Sequence, residues 1–167
     1  MSLSSLARRV ARLLKETSSK VVFAESCTGG LVSATLTKIP GISNFHCGGM
    51  VVYRNETKQA FLGVPAALLK NPGPVSREVV DLMARGVLER TPEAAIAAAV
   101  TGHLGPNAPP KLDGLVFAAV VWRKKMNHVK IKRFRCQRGD SRVVRQRWVA
   151  EHVLQLLSDE LQRRDCS

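Results

Sequence analysis

KVVFAESCTGGLVSATLTK, Lys20 to Lys38, changes character twice, and that change sets the fold class. KVVFAE (Lys20 to Glu25) is a short apolar run of the kind that forms a buried strand. SCTGG interrupts it with small polar residues and glycines, and Leu31 to Lys38 resumes as a helix. Pro40 and Gly41 close that helix with turn chemistry. A strand running through a glycine turn into a helix is a unit of layered α/β architecture.

The pattern continues on both sides. Upstream, Leu3, Leu6, Val10, Leu13 and Leu14 recur at helical spacing in MSLSSLARRVARLLKE. The segment is basic enough to suggest a transit peptide, but it lacks an apolar core followed by a small-residue cleavage site, so an amphipathic helix is the preferred reading. Downstream, CGGMVVYR (Cys47 to Arg54) reads as a strand and NETKQAFLGV as a short helix closing on Gly63. Ser76 suits the cap of a helix from Arg77 to Arg90, with Val79, Val80, Met83 and Val87 on its apolar face. AAIAAAV (Ala94 to Val100) fits helix or strand by propensity, and its length before a Gly/Pro-rich loop favours a buried strand. Leu115 to Trp122 and His128 to Phe134 read as a hairpin across RKKMN. A last helix runs from an Asp140 N-cap towards Gln162, with Val144, Trp148, Val149, Val153, Leu156 and Leu157 as its stripe.

The chain has 167 residues, 45% of them hydrophobic and only 5% aromatic, so one domain with an aliphatic core is expected. No run approaches the roughly 18 apolar residues of a membrane span. Cys27, Cys47, Cys136 and Cys166 form no CxxC pair, which signals neither a zinc site nor a disulfide framework. Reduced thiols in the cytoplasm are the expected state. The net charge of +13 suits three partners: nucleic acid, an anionic metabolite, or solvent alone.

Four segments offer chemistry. In the first, Glu25 to Gly30, Ser26 or Cys27 is a candidate nucleophile at a strand end. Thr28, Gly29 and Gly30 are placed to bring helix N–H groups to a phosphate or an oxyanion. The plain alternative is that Ser26 or Thr28 caps a helix and the glycines turn the chain. In the second, a helix beginning at Asn55 would place Lys58 about one turn on, pointing back at the strand end. A lysine buried there beside other cations would lose proton affinity and serve as a base to serine. Tyr53 could relay a proton or orient the pair; alternatively Lys58 is simply solvated. In the third, Thr101, Gly102, His103, Leu104 and Gly105 form a strand end and loop that could line the same cleft, with His103 more plausibly a bystander than a base. In the fourth, Arg142 and Arg145 in the first turn of the last helix could clamp a phosphate or merely form a charged face. The run RKKMNHVKIKRFR carries few aromatics for base stacking, and an edge strand defended by charge explains it more simply.

Together these segments resemble the C-terminal domain family of the competence- and damage-inducible protein CinA. The resemblance runs from about Leu6 to Leu157. It rests on AESCTGGL (Ala24 to Leu31), YRNETKQAFLGV (Tyr53 to Val64), GPVS (Gly73 to Ser76), TGxxGP (Thr101 to Pro106) and the Gly139-Asp140 helix start with Arg145 beyond it. It implies a three-layer α/β/α sandwich with a central mixed sheet, as a single domain over residues 1–167. It further implies hydrolysis of nicotinamide mononucleotide to nicotinate mononucleotide and ammonia, with no metal or other cofactor. By position, Ser26 attacks the carboxamide, Lys58 accepts its proton and Tyr53 assists. Thr28, Gly29, Gly30, Asn55, Thr101, Gly102, Gly105, Arg142 and Arg145 then become the expected substrate contacts. The larger family members carry an additional N-terminal domain, whose activity is not carried over here.

Two departures stand out. HLGPNAPPKLDG replaces a loop that is usually glycine-rich in the family, and Ser141 stands where an arginine is usual, with Arg142 one place later. They motivate a second reading, a diverged nucleotide-binding protein without turnover. A nucleic-acid partner suits the charge but is less favoured. Self-association is left open, and no membrane partner is expected.

Overall fold

The computed structural model describes residues 1–164. A five-stranded sheet is built from β1 (Val21–Glu25), β2 (His46–Val51), β3 (Ile96–Gly102), β4 (Leu115–Trp122) and β5 (Lys130–Arg135) in the order β2-β1-β3-β4-β5. β2 and β3 pair parallel with β1, whereas β4 pairs antiparallel with β3 and β5 antiparallel with β4, so the sheet is mixed.

Alternation along the central strands explains the layers, because successive side chains point to opposite faces. Val21 and Phe23 of β1, Ile96, Ala98 and Val100 of β3, and Val116, Ala118 and Val120 of β4 enter one core. That core is covered by α1 (Leu3–Glu16), α2 (Leu31–Leu36) and α6 (Arg142–Arg164). Val22, Ala24, Ala97, Ala99, Ala119 and Val121 enter the other, beneath α3 (Asn55–Leu62), α4 (Ala66–Lys70) and α5 (Arg77–Glu89). The expected three-layer α/β/α sandwich is the observed fold. AAIAAAV lies in the middle strand, covered on both faces, where alanines let helices approach from each side.

Leu3, Leu6, Val10, Leu13 and Leu14 are all buried in α1, whose N-cap is Ser2. Ser76 caps α5 by accepting from the Val79 N–H. α5 can sit close to α3 because Gly86 lies on its facing side, where a Cβ would collide with the Leu62 carbonyl. This approach anchors the helix that carries Lys58.

Several boundaries differ from expectation. β2 ends at Val51, so Val52, Tyr53 and Arg54 leave the sheet before α3 begins. α6 is capped by Ser141, whose Oγ accepts from the Val144 N–H at 3.3 Å, rather than by Asp140. α4 and two short 3-10 turns, Ile42–Asn44 and Arg123–Lys125, were not anticipated. Each is too short to show a hydrophobic period. Among the described residues no helix is long and apolar enough to cross a membrane. Cys27, Cys47 and Cys136 are free thiols, and Cys166 lies outside the described residues.

Candidate active site

The three parallel strands end at one edge of the sheet, at Glu25, Val51 and Gly102. From β1 the chain passes to β2 on one side, and β3 lies on the other. That switch in direction opens a crevice beyond the carboxyl ends of β1 and β3, the usual ligand position in such sheets. A cleft of about 260 Å³ lies there, with Ser26, Lys58, Thr101 and Arg142 in its wall.

Lys58 is 2% exposed, and its Nζ lies 3.0 Å from Ser26 Oγ, 3.0 Å from the Val52 carbonyl oxygen and 3.2 Å from that of Tyr53. α3 begins just after the chain leaves β2, which turns its first inward lysine back over the end of β1. Burial lowers the pKa of Lys58 from its ordinary value. The cause differs from expectation: desolvation lowers it, while Cys27 and Glu56 act in the opposite direction.

The SCTGG turn is organised by an anion internal to the protein. The Glu25 carboxylate, 2% exposed, accepts from the Thr28 hydroxyl at 2.6 Å and from the N–H groups of Gly30, Val32 and Ser33 at 3.1, 3.1 and 2.8 Å. The N-terminus of α2 is therefore occupied. Thr28, Gly29 and Gly30, expected to hold substrate, instead form the Glu25 cradle and its turn, and they lie outside the cleft wall. Gly29 and Gly30 take φ of 61° and 98°, which glycine adopts without a Cβ penalty. Gln146 of α6 ties the turn down by donating to the Thr28 carbonyl at 3.1 Å. The sequence signal for Glu25 was an acid directly before the polar turn; Gln146 offered none.

Cys27 shares the turn but not the chemistry. It is 3% exposed, and burial pushes its thiol up to about 12. The lowered pKa considered for a thiol at a helix start is thus reversed, because this one faces the apolar core.

The remaining expected contacts divide. Asn55, Thr101, Gly102 and Gly105 line the cleft. The Thr101 hydroxyl donates to the Pro74 carbonyl at 2.9 Å. A Cβ at Gly102 would stand 2.8 Å from Val116 Cγ2 and 3.1 Å from Cys27 Sγ, so glycine is required there. His103 lines the cleft without a hydrogen bond from its ring to Ser26 or Lys58 among the described residues, and burial lowers its pKa.

Arg145 is diverted from the cleft. Its guanidinium pairs with Asp113 at 2.6 and 3.2 Å and donates to the Leu104 carbonyl, pinning the long loop. Asp113, held below the usual carboxylate range by that partner, was missed because its role depends on a contact across the fold. Arg142 spans the mouth instead, donating to the Gly105 carbonyl and to the Tyr53 hydroxyl. Tyr53 therefore meets Lys58 through its backbone oxygen, while its phenol lies on Arg142. Among the described residues no three His, Cys, Asp or Glu side chains gather to hold a metal ion.

Known proteins share this fold. The model of the CinA C-terminal domain matches residues 3–161. A CinA-like protein of Synechococcus sp. (strain CC9902) is 41% identical over 141 residues, which is 83% of this chain and 33% of that protein. One from Geobacter metallireducens is 45% identical over 66% of this chain and 27% of its own length. The chain thus spans about a third of the length of these curated relatives. Among solved structures, competence/damage inducible protein CihA from Agrobacterium tumefaciens is 34% identical with a TM-score of 0.89, covering 96% of this chain and 95% of that one. A competence-damaged protein (CinA) superfamily protein from Klebsiella pneumoniae has a TM-score of 0.90 at 27% identity, covering 98% of this chain and 99% of that one. This chain belongs to the CinA C-terminal domain family.

Proposed function

We propose that the chain hydrolyses the carboxamide of nicotinamide mononucleotide, giving nicotinate mononucleotide and ammonia, with Ser26 as nucleophile and Lys58 as base. The observation that carries this reading is the set of three partners around Lys58 Nζ. Two of them are carbonyl oxygens, which only accept. A neutral amine has two N–H donors and one lone pair. The ammonium donates to all three partners, whereas the neutral amine keeps its two donations to Val52 and Tyr53 and turns its lone pair to the Ser26 hydroxyl. Burial favours this neutral form.

The steps follow from that arrangement. Ser26 Oγ attacks the amide carbon as its proton passes to Lys58 Nζ. The resulting ammonium returns the proton to the departing nitrogen, the C–N bond breaks and ammonia leaves. Water, deprotonated by the same amine, then hydrolyses the acyl-serine ester to the acid. Arg142 at the mouth, bonded among the described residues only to neutral acceptors, is a cation available to the substrate phosphate. The nucleotide as substrate rests on the family resemblance and on this cation.

Incubating the purified chain and its Ser26→Ala variant with nicotinamide mononucleotide, and measuring ammonia, tests the reading. Release by the wild type alone is expected. Silence from both would leave a nucleotide-binding protein without turnover.

A further inference from the structure

Arg142 borders two recesses, not one. Beyond it lies a groove of about 660 Å³, bounded by Asn107 and Asp113 of the long loop and by Arg138, Asp140 and Arg145. The run from Leu104 to Ala108 lines both recesses and forms the ridge between them. The cleft over Ser26, about 260 Å³, lies below the roughly 300–1,000 Å³ that small-ligand pockets occupy. The groove supplies the missing room on the side of Arg142.

Its charges suit a phosphate-bearing guest. Arg145 and Asp113 neutralise each other. Among the described residues, Arg142 is held only by the Gly105 carbonyl and the Tyr53 phenol. Arg138 is exposed and makes no hydrogen bond or ion pair with another described residue. Three arginines, Arg138, Arg142 and Arg145, therefore face the groove against two carboxylates, Asp113 and Asp140, and although Arg138 also acts on Asp113 the lining keeps a net positive charge.

We propose that this groove seats a second, phosphate-linked half of the substrate, so that the chain accepts a dinucleotide whose amide-bearing nucleotide lies at Ser26. The inference rests on the amidase reading above. With the amide at Ser26 and its phosphate at Arg142, whatever is esterified to that phosphate enters the groove. Arg138 then takes the second phosphate of the bridge, and Asp140 and Asn107 offer hydrogen bonds to ribose hydroxyls. The chemistry is unchanged: water adds to the carboxamide carbon, its C–N bond breaks, ammonia leaves and the diphosphate bridge stays intact.

The test measures ammonia released from nicotinamide mononucleotide and from nicotinamide adenine dinucleotide, by the wild-type chain and by Arg138→Ala. Both compounds are expected to be hydrolysed. Arg138→Ala should raise KM for the dinucleotide about tenfold to a hundredfold, the size of a charge-assisted contact, and leave the mononucleotide unchanged. Turnover of the mononucleotide alone would overturn the inference and leave the amidase reading standing. So would an Arg138→Ala variant that affects neither compound or both equally. Turnover of neither would remove the amidase reading, and this inference with it.

Discussion

The Tyr53 hydroxyl accepts a hydrogen bond from Arg142, while the same residue's backbone carbonyl accepts one from Lys58 at 3.2 Å. One residue thus touches both Lys58 and the arginine at the mouth, through different atoms. Its phenol is a positioning group for Arg142. Tyr53→Phe should therefore raise KM for the nucleotide only about threefold, because the lost bond positions Arg142 rather than touching substrate, with kcat within about twofold of wild type. A large fall in kcat with KM unchanged would instead make the phenol part of the proton transfer. Steady-state kinetics of ammonia release decide between them.

With Lys58 as the proposed base, its protonation should set the pH dependence. Its amine accepts a proton from Ser26 only when neutral, so kcat/KM should rise with pH on a limb lying below the ordinary lysine value of 10.5. Lys58→Met should lose activity at every pH. Stability carries the same signature. Burial disfavours the ammonium, so the folded chain binds this proton less tightly than the unfolded chain. Folding stability therefore rises with pH between the lowered value and 10.5, a slope the variant lacks. Denaturant titrations of both proteins across that range would show it.

Glu25 holds the nucleophile's turn through four hydrogen bonds inside the protein. Glu25→Gln replaces one acceptor oxygen with an NH₂ group that faces N–H donors. A loss of roughly 3 kcal/mol in unfolding free energy is expected, together with loss of activity as Ser26 shifts. An unchanged denaturation midpoint would show that the cradle adjusts without the charge.

Gly102→Ala places a methyl 2.8 Å from Val116 Cγ2 and 3.1 Å from Cys27 Sγ. Overpacking of this kind costs roughly 1–3 kcal/mol. Because Cys27 adjoins Ser26, activity should fall as well. Cys27→Ala, by contrast, should keep turnover, since burial pushes its thiol up to about 12 and so disfavours the thiolate. Loss of turnover in Cys27→Ala with retention in Ser26→Ala would reverse that assignment.

The layered fold was legible because its evidence is local. The buried strand Val21–Glu25, the stripes of α1 and α5, and the basic edge hairpin each follow from periodicity within a few turns of chain. The Ser26 to Lys58 approach was also foreseeable, since both residues sit just beyond adjacent strand ends. The occupants of the α2 N-terminus, the partner of Arg145 and the attachment of Tyr53 were not. Glu25 is an acid at a strand end, and nothing local distinguishes one that faces solvent from one that folds back onto three N–H groups. Arg145 and Asp113 lie on different elements, and only the seating of α6 against the long loop brings them to 2.6 Å.

Residue order thus determined the strand and helix order, the small-residue turn after β1 and the supply of a serine, a lysine and several arginines at one end of the sheet. Tertiary packing decided which of those groups face the cleft and which hold the fold together. The physical reason is desolvation: a buried charge must find a partner, so Arg145 and Glu25 are drawn into internal pairs and cradles. Lys58, given only carbonyls and a hydroxyl, is left with a lowered proton affinity.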